Sequence, residues 1–209
     1  MCQAAGMASP RKTRSPRTGR RPGASGSREA ILEAARTLFA QHGYSATSMR
    51  AIGTAAGVDA ALIVHFFGTK AGLLREAIQW PFDPAEAADR IYAAGRRNVG
   101  EELARLVVDT WEREGDRNAI MTLLRAATVE PAAAEMMRDF MQVELFPPLF
   151  QRLNPDQPEL RASLAASQLV GFGMARYVLR FEPLASLSPA EAVAWIAPTL
   201  QRYLIGKAP

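Results

Sequence analysis

Apolar residues recur at intervals of three and four from residue 28 almost to the end of this chain, and no segment alternates in the manner of a half-buried strand. The pattern predicts an all-α protein. Ile31, Leu32, Ala35, Leu38 and Phe39 form the inward stripe of a first helix, with Ser27 as its expected N-cap and Gly43 as its stop. Thr47 or Ser48 opens a second helix that turns Met49, Ile52 and Ala56 inward and breaks at Gly57. Asp59 caps a third, reaching about His65, and Thr69 caps a fourth that ends before Pro81. From Asp83 the elements lengthen, to about 84–97, 100–114, 116–129, 131–153, 157–180 and 188–205, punctuated by Asp83-Pro84, Asp116, Pro131, the Asn154 to Pro158 cluster and Ser188-Pro189. Pro147-Pro148 falls inside the fourth of these. Interior proline removes a backbone hydrogen bond and clashes with the preceding turn, so a kink or break is expected near Phe146.

Charge divides the chain differently. Residues 1–27 hold Arg11, Lys12, Arg14, Arg17, Arg20 and Arg21 and no acid, whereas the whole chain carries +4, which leaves 28–209 net negative. A stretch so rich in Arg, Pro, Gly and Ser buries too little apolar surface to order itself. The expected organisation is therefore a disordered basic arm over 1–27, a compact unit of three short helices with a connecting helix over 28–80, and a larger helical domain over 81–209. The longest run free of charge, between Arg161 and Arg176, is 14 residues, too short for a membrane span. Residues 1–10 lack the apolar run of a secretory leader, and Cys2 is the single cysteine, so the cytoplasm is the expected compartment.

Residues 48–67, SMRAIGTAAGVDAALIVHFF, have the layout of a helix-turn-helix. Such a pair needs a small residue where the helices cross, a glycine in the turn and apolar residues flanking it, and Gly53, Gly57, Val58 and Ile63 meet those needs. The second helix of the pair is the one that enters the major groove of DNA. The longer run from Ile31 to Leu74 resembles the DNA-binding domain of the TetR family throughout: Ala-Ala-x-x-Leu-Phe in the first helix, Gly43-Tyr44, Ile52 with Ala56-Gly57-Val58, Phe67, and Lys70-x-x-Leu73. Residues 171–204 resemble one actinobacterial-type branch of the family's regulatory domains.

The resemblance implies a homodimer that binds a palindromic double-stranded operator as a ligand-responsive repressor and is released by a small, mainly apolar effector. By position it implies DNA contacts from Ser48 and Lys70 to phosphate, from Arg50 in the first helix of the motif, and from Ala60, Ala61, Val64 and His65 on the exposed side of the recognition helix. Three departures stand out: Gly53 replaces the usual Ala, at an expected cost of roughly 1 kcal/mol in helix stability, Val64 replaces a phosphate-binding Tyr or His, and Phe66 stands where His is common. Helices between Pro84 and Phe150 are expected to enclose the effector, with Tyr92, Trp111, Met121, Leu124, Met137, Phe140 and Met141 as candidate walls. Ser163, Ser167, Gly171 and Ala175 recur every four residues and give a smooth face suited to close helix packing across a dimer, for which 131–153 and 157–180 are the candidate helices.

Two other classes compete. The two His residues lie in the DNA-binding third and the one Cys at residue 2, so no Cys-His or multi-His metal set forms in the regulatory half, and no cofactor is implied. Glu101, Glu102, Glu112, Glu114 and Asp116 read as solvated helix faces, which argues against an enzyme. A helical ligand-binding or interaction protein whose DNA recognition has decayed would also explain the apolar Val64 and Phe66.

Overall fold

The computed structural model describes residues 24–207, with the side chains of 24–25 and 114–120 left aside. The basic arm thus lies outside the described residues, apart from its last four. Among those described, eleven α-helices and no strand are found. The first, α1 (Ala24–Ala46), starts three residues before Ser27, because nothing in Ala24-Ser25-Gly26 forbids helical backbone. Arg28 then pairs with Glu76 and lies over the Phe67 ring. Gly43 leaves helical geometry at φ 76° and bends the end of α1 as its sequence position predicts.

Short polar caps set the next elements. Ser48 opens α2 (Met49–Ala56) by accepting from Ala51 N, Asp59 opens α3 (Ala60–Phe67) from Ala61 N, and Thr69 opens α4 (Lys70–Ala77) from Gly72 N. Thr47, the other candidate cap, is buried and donates instead to the Gly43 and Leu38 carbonyls, tying α2 to the bent end of α1. Helix α4 stops at Ala77, short of the expected 80, where Gln79 adopts φ 55°.

The larger half comprises α5 (Pro84–Ala93), α6 (Val99–Glu112), α7 (Glu114–Val129), α8 (Pro131–Asp139), α9 (Pro147–Leu153), α10 (Pro158–Gly173) and α11 (Pro189–Ile205). The expected 131–153 helix is broken at Phe146, as Pro147 requires. Ahead of the break, Phe140–Leu145 takes π-helical form and Phe146 N donates to Met141 O. Two cores result. Ile31, Phe39, Ile52, Ile63, Leu73 and Leu74 form the smaller, around α1–α4, while Val99, Val108, Leu153, Leu200 and Leu204 centre the larger, where α6 lies along α11. Phe140 belongs to the smaller core although it comes from the larger half.

Candidate DNA surface and effector cavity

Helices α2 and α3 meet at 106°, within the range of a helix-turn-helix. Gly57 makes the turn in left-handed geometry at φ 67°. At the crossing, a Cβ on Gly53 would lie 2.9 Å from the Val58 carbonyl oxygen and 3.3 Å from Ala60 N. The glycine is therefore there to let the turn pass, not merely a weak helix former. Gly53→Ala should destabilise the domain by up to about 2 kcal/mol net, because the overpacking of about 1–3 kcal/mol is offset by roughly 1 kcal/mol of helix propensity regained; urea denaturation followed by circular dichroism measures it.

The outward side of this unit carries most of the sequence candidates. Ser48 spends its hydroxyl on the α2 cap at 3.1 Å, leaving amide donors at the helix start. Arg50 is exposed, Ala60 half-buried, and Ala61, Val64 and His65 exposed on one face of α3, opposite the buried Ile63 and Phe67. Lys70, the other expected phosphate contact, is half-buried and makes contacts within the chain. Its ammonium sits 4.3 Å over the Tyr44 ring and donates to Ser45 O at 3.3 Å, with Asp139 and Glu144 near, and burial lowers its pKa against their opposing pull.

That lysine belongs to the join between the two halves. Tyr44 is buried and donates through its hydroxyl to Glu144 at 2.6 Å, and burial first, then this carboxylate, raises the pKa of the phenol. Ser45 donates from both its amide and its hydroxyl to Asp139, at 3.3 and 2.9 Å. Between these ties Phe140 packs against Trp80, with ring centroids 4.8 Å apart.

The opposite side of the same segment walls an apolar cavity of about 60 Å³. Of the sequence candidates, Trp111, Leu124, Met137 and Met141 line it. Three others do not. Tyr92 is 45% exposed and points away from it, Phe140 turns into the smaller core, and Met121 faces a separate polar groove with Arg125, Arg176 and Tyr177. Trp80, Phe82, Ile91, Leu103 and Val107 are among the other wall residues; at helical spacing they are indistinguishable from ordinary core. Among the described residues the only side-chain hydroxyl in the lining is Thr110, and the Trp80 Nε1 donor is buried without a partner. Glu112 is no solvated carboxylate: it accepts from Tyr177 at 2.8 Å and from Arg176 at 3.1 Å, while Tyr177 stands edge-on to Trp111. Burial and Glu112 push the Tyr177 phenol up to about 12.

On α10, Ser163, Ser167 and Gly171 are exposed and Ala175 is half-buried in a π-helical continuation, Met174–Val178. Both serine hydroxyls bond carbonyls of their own helix, Glu159 and Leu164, so the face is smooth and its polar groups are satisfied. Among the described residues no single helix is long and apolar enough to cross a membrane, and no three His, Cys, Asp or Glu side chains converge as a metal site would require.

A helix-turn-helix unit joined to a helical domain with its own cavity defines a class of regulatory protein, and the comparisons specify it. Residues 31–77 match the model of the bacterial regulatory proteins of the tetR family, and residues 98–204, half of the chain, match the tetracyclin repressor-like C-terminal domain. The chain belongs to the TetR family. Among curated relatives it is 54% identical over 43 residues to the HTH-type transcriptional regulatory protein RaaS of Mycobacterium tuberculosis, covering 21% of this chain and 20% of that one. It is 32% identical over 90 residues to the HTH-type transcriptional repressor KstR2 of Rhodococcus jostii, covering 43% and 44%. These matches thus span less than half of either relative. A solved TetR-family regulator from Streptomyces coelicolor is 34% identical, with 89% of this chain and 98% of that chain covered and a TM-score of 0.44. NalD, the secondary repressor of a multidrug efflux pump in Pseudomonas aeruginosa, is 22% identical, with 88% and 98% covered and a TM-score of 0.42.

Proposed function

We propose that this chain is a cytoplasmic, non-enzymatic repressor that binds a palindromic operator as a homodimer and releases it when a small apolar molecule occupies the cavity. The observation that carries this reading is a shared segment. Residues 137–146 wall the cavity on one side and hold the DNA-binding unit on the other, through Asp139, Phe140 and Glu144. A cavity of about 60 Å³ is well below the roughly 150 Å³ that accommodates benzene. Entry of a larger molecule therefore has to displace a wall, and the π-helical stretch, a form found frequently at functional sites, is the wall expected to move.

The dimer is assigned to α10 and α11. Helix α8 packs on α1 and α7, and α9 on α5, and of the two candidate segments 157–180 is preferred to 131–153 because its exposed face is continuous with that of α11. The exposed face of α10 adds Leu160 and Leu164 to its small residues, and α11 beside it exposes Trp195 to 75%.

Selection of bound duplexes from a random pool tests the reading. A consensus with two-fold symmetry and half-sites about one DNA turn apart is expected; no enrichment over input would overturn it and favour a ligand-binding protein without DNA recognition. On the selected duplex, Arg50→Ala is expected to weaken binding about ten-fold and to reduce the slope of log affinity against log salt by about one. An unchanged affinity, titrated by fluorescence anisotropy, would remove Arg50 from the interface.

A further inference from the structure

Resting on the reading that α3 enters the major groove, we propose that this helix selects bases through the C5-methyl group of thymine, with Val64 as the specificity-determining side chain. The outward face of α3 consists of Ala60, Ala61, Val64 and His65. The polar residues flanking the helix serve as caps. The Asp59 carboxylate accepts from Ala61 N at 2.7 Å and the Thr69 hydroxyl from Gly72 N at 3.0 Å, while Phe66 packs partly into the smaller core. His65 is then the one side chain on the helix that is free to pair with a base edge.

Val64 is 51% exposed, and it is the one large apolar side chain so exposed between residues 26 and 80. The fold gains nothing from it there, since the core side of the helix is filled by Ile63 and Phe67, both buried. In the major groove thymine alone offers a methyl group; adenine, guanine and cytosine offer donors or acceptors at the corresponding edge. An apolar side chain held against those edges takes water from them and returns no hydrogen bond. Val64 thus favours thymine by contact and disfavours the other bases by desolvation, which together give a larger discrimination than either alone. Ala60 and Ala61 lie one turn away, about 5.4 Å along the helix. That distance spans one to two base-pair steps of about 3.4 Å, so the methyls read fall on neighbouring base pairs of each half-site.

The test uses the duplex selected by the full-length protein, remade with deoxyuridine in place of thymidine at each position in turn, in both half-sites. Deoxyuridine removes only the methyl. Loss of one buried methyl contact should weaken binding about four-fold per half-site, hence by roughly fifteen-fold for the symmetric pair, at one or two positions per half. Val64→Ala should bring that ratio below about two at one of these positions while leaving the others as they were. The variant is expected to fold, because the site is exposed and alanine is the better helix former. Equal binding of the thymidine and deoxyuridine duplexes at every position, or an unchanged ratio in Val64→Ala, would overturn the proposal while leaving operator binding intact. Failure to enrich any duplex would instead overturn the reading of α3 as a DNA-binding helix, and this proposal with it.

Discussion

Gly171→Leu is expected to sediment as a monomer at micromolar concentration and to lose operator affinity by about 100-fold or more. Within the chain a Cβ at Gly171 meets nothing within 4 Å among the described residues, so the substitution is expected to leave the monomer fold intact. Across a two-fold interface built on α10 the same position has to accept a helix at close range. Overpacking typically costs about 1–3 kcal/mol, and symmetry imposes it twice, so dissociation of the dimer should rise by a factor of roughly 30 to 20,000. A monomer presents one recognition helix where the operator needs two, and specific affinity falls accordingly. Sedimentation velocity and operator titration measure the two effects, and an unaltered thermal melt at low concentration would confirm that folding is not the cause. A variant that stays dimeric with wild-type affinity would place the interface elsewhere.

The way this site was legible, and the way it was not, follows from how far each determinant reaches along the chain. Caps and turns are local: Ser48, Gly57, Asp59, Thr69 and Asp83 place five helix boundaries within a residue or so, since each acts on amides two or three positions away. The Pro147-Pro148 pair likewise announces a break at Phe146. The facing of an apolar side chain between two cores is not local. Phe140 and Met141 are adjacent, aromatic and sulfur-bearing, and equally suited to a cavity wall; one enters the smaller core and the other lines the cavity, because neighbours on a helix point about 100° apart and this segment lies between the two. Lys70 shows the same limit for charge. Its position in the motif suits a phosphate, but Tyr44, Asp139 and Glu144 arrive from elsewhere and hold it at the join. Gly53 shows that a residue departing from a family pattern can be explained only when the atom it makes room for, Val58 O, is seen.

Tyr44→Phe is expected to leave operator binding and effector binding each within about two-fold of wild type while reducing the coupling between them about five- to ten-fold. The phenyl ring remains, so its contact with Phe39 at 5.7 Å and the seat for Lys70 are kept, and only the hydroxyl that donates to Glu144 is lost. Hydrogen bonds to a charged acceptor contribute about 1.5–3 kcal/mol, which lies in the range of typical allosteric coupling, about 1–3 kcal/mol. A ligand that pushes Met141 and Leu145 outward moves Glu144 between them, and in the wild type this pulls on Tyr44 and the bent end of α1 that carries α2. With the hydroxyl gone, the ligand can displace the wall without dragging the DNA-binding unit. Linkage makes the test stringent, because the factor by which effector weakens operator binding must equal the factor by which operator weakens effector binding. Both are measurable once a compound that releases the selected duplex has been found by screening apolar molecules against the wild-type complex. If Tyr44→Phe responds to that compound as fully as the wild type, in both directions of the cycle, the signal does not pass through Glu144. Phe140 and Trp80, the other contact at the join, would then be where the two halves are coupled.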